Sequence, residues 1–277
     1  MQKIPKKIHY CWFGGNPLPE LALKCIESWK KFCPDYEIIE WNENNFDITC
    51  CDYVKEAYEA KKWAFVSDCC RFFVLYQQGG IYLDTDVEII KPIDSLLDCS
   101  FVGFEGKSVV ASGLIRGVVP GDTICKQMLD SYNNDRFLLD DGSLNLKTVC
   151  ERETEIFRSY GLKTDGSMQT VMTTRVFPSE YFCPLDNVTW KLNITENTYT
   201  IHHYDSSWIS DEKKYAKEFR KRHPHIPRFM ALHISGFIAA WKFRGFGSAI
   251  KEIGVYFKDR RAQKKSKKNA KKTNKEK

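Results

Sequence analysis

Residues 4–41 read IPKKIHYCWFGGNPLPELALKCIESWKKFCPDYEIIEW. Residues 4–13 are rich in β-branched and aromatic side chains and end at Gly14-Gly15, which predicts a strand followed by a loop. Residues 18–31 place Leu21, Cys25, Ile26 and Trp29 at helical spacing. Pro34-Asp35 then turns the chain into residues 36–41, a second strand. Strand, helix and strand in this order begin an α/β fold with a parallel sheet.

Outward from this unit the pattern continues. Residues 52–78 predict helix in two pieces, stopped by Gly79-Gly80. Residues 81–83 predict a short buried strand, broken by Asp84-Thr85-Asp86, and residues 87–90 resume as extended chain before Pro92. Further strands are expected at 101–104, 109–115, 175–177 and 198–203, and helices at 122–132, 144–160 and 211–221. Residues 229–258 interleave Phe, Trp, Ile and Val with Lys and Arg, which predicts amphipathic helix with a break near 245–247. Residues 262–277 are Lys-rich without apolar period and are expected to be disordered. The expected organisation is one α/β domain over 1–227, a helical segment over 228–261 and a tail over 262–277.

Of the 277 residues, 43% are hydrophobic and 28% charged, enough for a sizeable core and against global disorder. The net charge is +6, but residues 259–277 hold ten basic and two acidic residues, which leaves −2 for the rest. Basicity therefore belongs to the tail, and a fold-wide nucleic-acid surface is not expected. Residues 1–7 lack the features of a signal peptide, and no apolar run is long enough to span a bilayer. The expected location is the cytoplasm. Without a secretion signal the eleven cysteines argue for free buried thiols. The adjacent pairs Cys50-Cys51 and Cys69-Cys70 lack paired C-x-x-C spacing, and adjacency is expected to point their side chains apart.

The chemistry concentrates in residues 64–86, AFVSDCCRFFVLYQQGGIYLDTD. Asp84 and Asp86 stand one residue apart where a buried strand ends, and their side chains are expected to leave in different directions. One is free to meet a metal and the other a neighbouring group such as a ribose. Carboxylates at that edge of a parallel sheet lie where α/β folds bind ligands. Hard oxygen donors favour Mg²⁺ or Mn²⁺, which can stabilise a departing diphosphate. The bland alternative is a solvated turn. Asp68 and Arg71 are three apart and share a helix face; apolar flanks make that face half-buried. Such a pair needs further hydrogen-bond partners, which a sugar hydroxyl or a pyrophosphate supplies. His202 and His203 stand at a strand end, one facing in and one out. Ala111-Ser112-Gly113 is expected to let backbone approach a ligand such as a sugar, and Asp140-Asp141-Gly142 to form a turn.

These residues resemble a known family. Ser67-Asp68, Arg71, Leu75-Tyr76, Gly79 through Asp84, and Asp86 are similar to the signature of the family-32 glycosyltransferases. That family carries a DxD sugar-binding motif and includes yeast-type initiating mannosyltransferases and bacterial capsule and lipopolysaccharide enzymes. The glucosylating domains of clostridial toxins are distant relatives. Residues 4–15, Pro17-Leu18-Pro19 and the stretch from Ile201 to Trp208 resemble bacterial members as well, although Asp205-Ser206 replaces residues commonly small there. The resemblance implies a GT-A fold, a Rossmann-like nucleotide-sugar-binding domain, and transfer with retention of configuration. It implies a reaction centre of Asp68, Arg71, Asp84 and Asp86. Tyr10, Trp12, Phe13, Tyr76, Gly80, Thr85, Ser207 and Trp208 would join Asp68, Arg71 and Asp84 in contacting the donor. Mn²⁺ or Mg²⁺ would be held by Asp84, Asp86 and His203. The donor is expected to be a UDP-sugar, with a GDP-sugar as the alternative, and the acceptor a glycan or a lipid-linked glycan of a bacterial surface polysaccharide. Residues 229–277 are then expected to meet an anionic membrane surface, as a peripheral protein on its inner face. Two rival functions stand beside this one: protein glycosylation of the toxin type, and non-enzymatic nucleic-acid binding through the Lys tail.

Overall fold

The structure is a computed structural model and describes residues 3–205 and 209–273, with side chains to Arg261. It forms two compact units: Met1–Leu185 with Leu192–Trp208, and Asp186–Lys191 with Ile209–Lys277.

The first unit opens as a strand–helix–strand: β1 (Lys7–Cys11), α1 (Glu20–Phe32) and β2 (Glu37–Trp41). β1 and β2 pair in parallel, Ile8 opposite Ile38. The apolar spacing read from the sequence is the reason α1 docks: Ala22, Cys25, Ile26 and Trp29 are its buried face. Two helices follow, α2 (Asp52–Glu59) and α3 (Trp63–Gln78). α3 is buried on most of its circumference, which explains its run of Phe, Val, Leu and Cys. It ends at Gly79 with φ +62°, where a β-carbon would lie 2.6 Å from the Pro120 ring. Only glycine permits both that backbone and that approach.

The chain next lays down β3 (Gly80–Tyr82), β4 (Val87–Ile89), β5 (Phe101–Glu105), β6 (Val109–Val110) and β7 (Arg116–Val118). α4 (Thr123–Asn133), α5 (Val149–Ser159), β8 (Gln169–Val171), β9 (Thr174–Phe177), α6 (Ser179–Phe182) and β10 (Thr200–His202) complete the unit. The main sheet has the order β2-β1-β3-β7-β5-β9-β8, with β6 beside β5. The expected α/β architecture is present, but the sheet is mixed. β1 runs parallel to β2 and β3, and β5 to β9, while β7 is antiparallel to both β3 and β5. The link from β5 to β7 is too short for the crossover that parallel pairing requires, so the strand comes back reversed. Of the expected strand over 109–115 only Val109–Val110 is strand, and helix 144–160 starts later, at a Thr148–Glu151 capping box.

One core packs α2, α3, α4 and α5 on the sheet around Tyr53, Phe72 and Phe157; the other includes Ile8, Trp29, Phe101 and Phe182, with α1 and α6. β10 pairs antiparallel with β4, placing His202 opposite Val87 just after the Asp84–Asp86 turn.

The second unit contains α7 (Asp211–Arg222), α8 (Arg228–Arg244) and α9 (Phe246–Thr273). The expected boundary at 227/228 stands later than this division, which groups α7 with the helices that follow. Arg220 donates to Ser235 Oγ at 3.0 Å, Lys242 sits 3.9 Å over the Tyr215 ring, and Arg244 pairs with Glu212 at 2.9 Å. α8 and α9 meet at Gly245, φ +85°, near the expected break. Backbone of residues 262–273 continues α9 where disorder was expected. Lys, Gln and Ala are strong helix formers, so absence of an apolar period does not prevent helical backbone.

Candidate active site

The site begins with α3, whose spacing puts Asp68 and Arg71 on one face. Arg71 Nη2 lies 2.9 Å from Asp68 Oδ1 and 3.1 Å from Asp84 Oδ1, and its guanidinium stacks 4.6 Å from the Tyr82 ring centre. Asp68 and Arg71 are buried, whereas the Asp84 side chain is one-third exposed. Arg71 thus links the buried Asp68 to the part-exposed Asp84. Its Nη1 is buried with no hydrogen-bond partner. A buried donor left unpaired is costly, and a ligand oxygen at that atom would satisfy it. Burial pushes the Asp68 carboxyl up, against the pull of Arg71, to about 7.

Asp84 is held by its backbone. Its N–H donates to the Gly113 carbonyl at 3.0 Å, and its carbonyl accepts from Val87 at 3.1 Å. Gly113 is a glycine for a steric reason: a β-carbon there would lie 2.1 Å from Asp84 Oδ2 and 3.0 Å from Arg71 Nη1. The sequence reading assigned this glycine to close approach of a sugar; the close neighbours in the structure are Asp84 and Arg71. The Ser112 N–H donates to Glu153 Oε2 at 3.0 Å, and Glu153 Oε1 accepts from Arg116 Nη1 at 2.6 Å. Arg116 also donates to Asp122, the N-cap of α4. This fully buried ion cluster anchors the segment before Gly113. None of its members was singled out from the sequence, because Arg116, Asp122 and Glu153 are brought together only by the fold.

Asp86, two residues on in the same turn, has a different set of partners. Its Oδ1 lies 3.2 Å from His202 Nε2, and its Oδ2 accepts the Asp205 N–H at 2.8 Å. Burial raises the Asp86 carboxyl, but His202 and the Asp205 amide outweigh it and hold it at about 2. Burial lowers the His202 imidazole, and the Asp86 charge outweighs that and raises it.

Asp84, Asp86 and His202 each offer a ligand atom within 4.8 Å of the others. Two carboxylates and one imidazole suit a hard or borderline divalent ion such as Mn²⁺ or Mg²⁺. His203 was the expected third ligand. Its Nε2 instead lies 2.8 Å from Glu88 Oε2, and His202 takes the inward place. Antiparallel pairing of β10 with β4 sets this phase: His202 is in register with Val87, and the chain leaves the strand at His203.

The other described residues expected to contact the donor are spread from β1 to the Asp84–Asp86 turn. Tyr10 is buried, donates to Glu40 at 2.7 Å and packs edge-on to Trp29. Phe13 is buried against Phe46. Trp12 is partly exposed and donates to the Asn16 carbonyl at 2.6 Å. Tyr76 is partly buried at the end of α3, and Thr85 lies in the Asp84–Asp86 turn. Gly80 is closed in by β1: a β-carbon there would meet the Lys7 carbonyl at 2.9 Å and His9 Nε2 at 3.0 Å. Ser207 and Trp208 lie outside the described residues.

His9 passed unremarked in the sequence. It is fully buried, accepts from Trp41 Nε1 at Nδ1 (3.1 Å) and donates from Nε2 to the Gly79 carbonyl at 2.9 Å. Cys50 and Cys51 depart from expectation too. Their sulfurs lie with that of Cys69 in one group, all within 4.8 Å of one another. Alternation fails here because Cys51 is the extended N-cap of α2 and Cys50 precedes it in a bend.

Residues 19–102, with Asp68, Arg71, Asp84 and Asp86 inside them, match the family described as "Glycosyltransferase sugar-binding region containing DXD motif". That region is similar to the sugar-binding region of DXD-containing glycosyltransferases. The DXD region is similar to inositol phosphoceramide mannosyltransferase 1 of Schizosaccharomyces pombe, 32% identical over 108 residues, covering 35% of this chain and 32% of the relative. It is similar to the initiation-specific alpha-1,6-mannosyltransferase of Candida albicans, 28% identical over 125 residues, covering 42% of this chain and 32% of the relative. Among solved structures, PaToxG glycosyltransferase aligns over 47% of this chain and 60% of its own, with a TM-score of 0.39 and 20% identity. The chain spans about a third of the length of those two curated relatives.

Proposed function

We propose that this chain is a metal-dependent, retaining GT-A glycosyltransferase that moves a hexosyl group from a nucleotide-sugar to a glycan or lipid-linked acceptor of a surface polysaccharide. The observation that carries this reading is the meeting of Asp68, Arg71 and Asp84 beside the Asp84–Asp86–His202 group, with Arg71 Nη1 unpaired. Arg71 supplies a donor to a diphosphate or sugar oxygen, in the planar geometry that suits such anions. Asp68, set behind it, accepts a sugar hydroxyl and fixes the ring. Asp84, Asp86 and His202 hold a divalent ion, which offsets the negative charge of the diphosphate as it leaves. Buried dipoles and charges fixed before reaction are worth most at such a centre.

The relatives' names, both mannosyltransferases, favour a mannosyl donor, so GDP-sugars stand beside the UDP-sugars expected from the sequence. The test is release of free nucleotide from a panel of UDP- and GDP-sugars, with Mn²⁺ or with EDTA. Mn²⁺-dependent turnover of one donor, lost in Asp86→Asn, supports the reading. Failure of every donor to bind overturns it.

The composition of the second unit supports a lipid surface as partner. Residues 228–277 hold fifteen basic and three acidic residues. Trp241, Phe243, Phe246, Ile250 and Phe257 are exposed on α8 and α9. Apolar side chains among cations are the composition of a helix lying in the headgroup plane. Among the described residues no helix is long and apolar enough to cross a membrane. The proposed location is the cytoplasmic face of the membrane, peripherally bound. Co-sedimentation with vesicles containing anionic lipid, but not with zwitterionic vesicles, is the expected result; equal sedimentation with neither rejects it.

A further inference from the structure

The thiols of Cys50, Cys51 and Cys69 form a second cluster, built on other elements than the carboxylates. Cys50 ends the loop after β2, Cys51 caps α2, and Cys69 projects from α3 one residue beyond Asp68. Their sulfurs all lie within 4.8 Å of one another. In a tetrahedral thiolate site with metal–sulfur bonds of about 2.3 Å, sulfurs stand about 3.8 Å apart. Small rotations of three side chains therefore close the group around one ion. The surroundings suit that use. Cys69 is buried, Cys51 half-buried and Cys50 exposed, so the group has a dry inner end and an open mouth. Three sulfur donors with an open mouth match a three-protein-ligand site whose fourth position is taken by water. Sulfur donors exclude Mg²⁺ and disfavour Mn²⁺, so this group does not compete for the ion of the carboxylate site.

From this geometry we infer that Cys50, Cys51 and Cys69 are a binding site for one soft d¹⁰ cation of the zinc type, held by three thiolates and one water. The site ties the loop after β2 to α3, the helix that carries Asp68 and Arg71. The Cys51 sulfur stands at the α2 N-terminus, where the amides of Tyr53 and Val54 donate to it. Binding releases to solvent one proton for each thiol that ligates as thiolate.

The test uses the full chain, reduced and freed of metal, and titrates it with Cd²⁺ while following thiolate-to-metal charge-transfer absorption. Carboxylates and imidazole give no such band, so the carboxylate site stays silent. The expected result is one strongly bound Cd²⁺ per chain, displaced by Zn²⁺ and not by Mn²⁺. Cys50→Ser, at an exposed position that leaves the fold intact, should weaken binding at least tenfold, and Cys51→Ser should abolish the band. Cys99→Ser, remote from the group, should leave it unchanged. No band at one equivalent of Cd²⁺ overturns the inference. So does a band that survives both Cys50→Ser and Cys51→Ser, or one equally strong in the urea-unfolded chain.

Discussion

The Asp84 carboxylate occupies the space that a side chain on Gly113 would need: a β-carbon there would sit 2.1 Å from Asp84 Oδ2. The neighbour cannot yield cheaply, because the same carboxylate is paired to Arg71 at 3.1 Å. Gly113→Ala should therefore displace Asp84 while leaving the sheet formed. Misplacement of a reacting group by about 1 Å costs on the order of 100-fold in rate. Donor turnover is expected to fall by about that factor, with the melting temperature little changed. Turnover within twofold of the parent would refute the steric account.

The two adjacent histidines should separate cleanly. His202→Ala removes a member of the carboxylate–imidazole group, and metal affinity should fall by at least about 10–100-fold, the size of effect seen even for outer-shell partners. His203→Ala removes only the contact to Glu88. Its metal affinity should match the parent's in a Mn²⁺ titration. The reverse ranking would return the ligand role to His203.

His9 gives the chain an acid limit. Burial pushes its pKa down from 6.5 to about 4, while the Gly79 carbonyl opposes. Unfolded chains take up this proton near pH 6.5, but the folded chain does not until about pH 4. Stability is therefore complete above pH 6.5 and declines as pH falls toward 4, by up to about 3 kcal/mol from this residue. Denaturant melts between pH 8 and 4 measure the slope, and His9→Gln should flatten it. An unchanged slope in that variant would assign the acid limb to other groups.

Glu153 holds both Arg116 and the Ser112 amide in a fully buried setting. Glu153→Gln places a donor against one of those donors and leaves Arg116 with Asp122 alone. Breaking a buried pair on one side costs about 3–5 kcal/mol. Urea denaturation should show a loss of that size, and a loss below 1 kcal/mol would mean that the cluster does not anchor the segment before Gly113.

What the sequence discloses follows from range. The first strand, helix and strand were legible because their signals are local: the Cys25, Ile26 and Trp29 spacing needs no partner to be recognised. Asp68 and Arg71 were legible for the same reason, being one helical turn apart. The reversed direction of β7 was not, since it depends on pairing with β3 and β5. β8 was missed because Gln169 and Thr170 are polar and little buried at a sheet edge. The choice between His202 and His203 depended on the register of a three-residue strand against β4, and a one-residue error there exchanges inside for outside. Tyr10, Phe13 and Gly80 are expected as donor contacts from the resemblance; what the sequence does not disclose is that they pack against Trp29, Phe46 and β1.

Arg71 has a consequence for how the centre behaves in different buffers. A guanidinium does not lose its proton in the range where proteins work, and its carboxylate neighbours raise its pKa further against burial. The positive charge beside Asp84 is therefore a constant of the molecule, present at every pH at which the chain is folded. A lysine in its place would fade as the medium turned alkaline. Any alkaline decline in turnover must then come from a group other than Arg71, such as an acceptor, the ion's own water or a neighbouring imidazole.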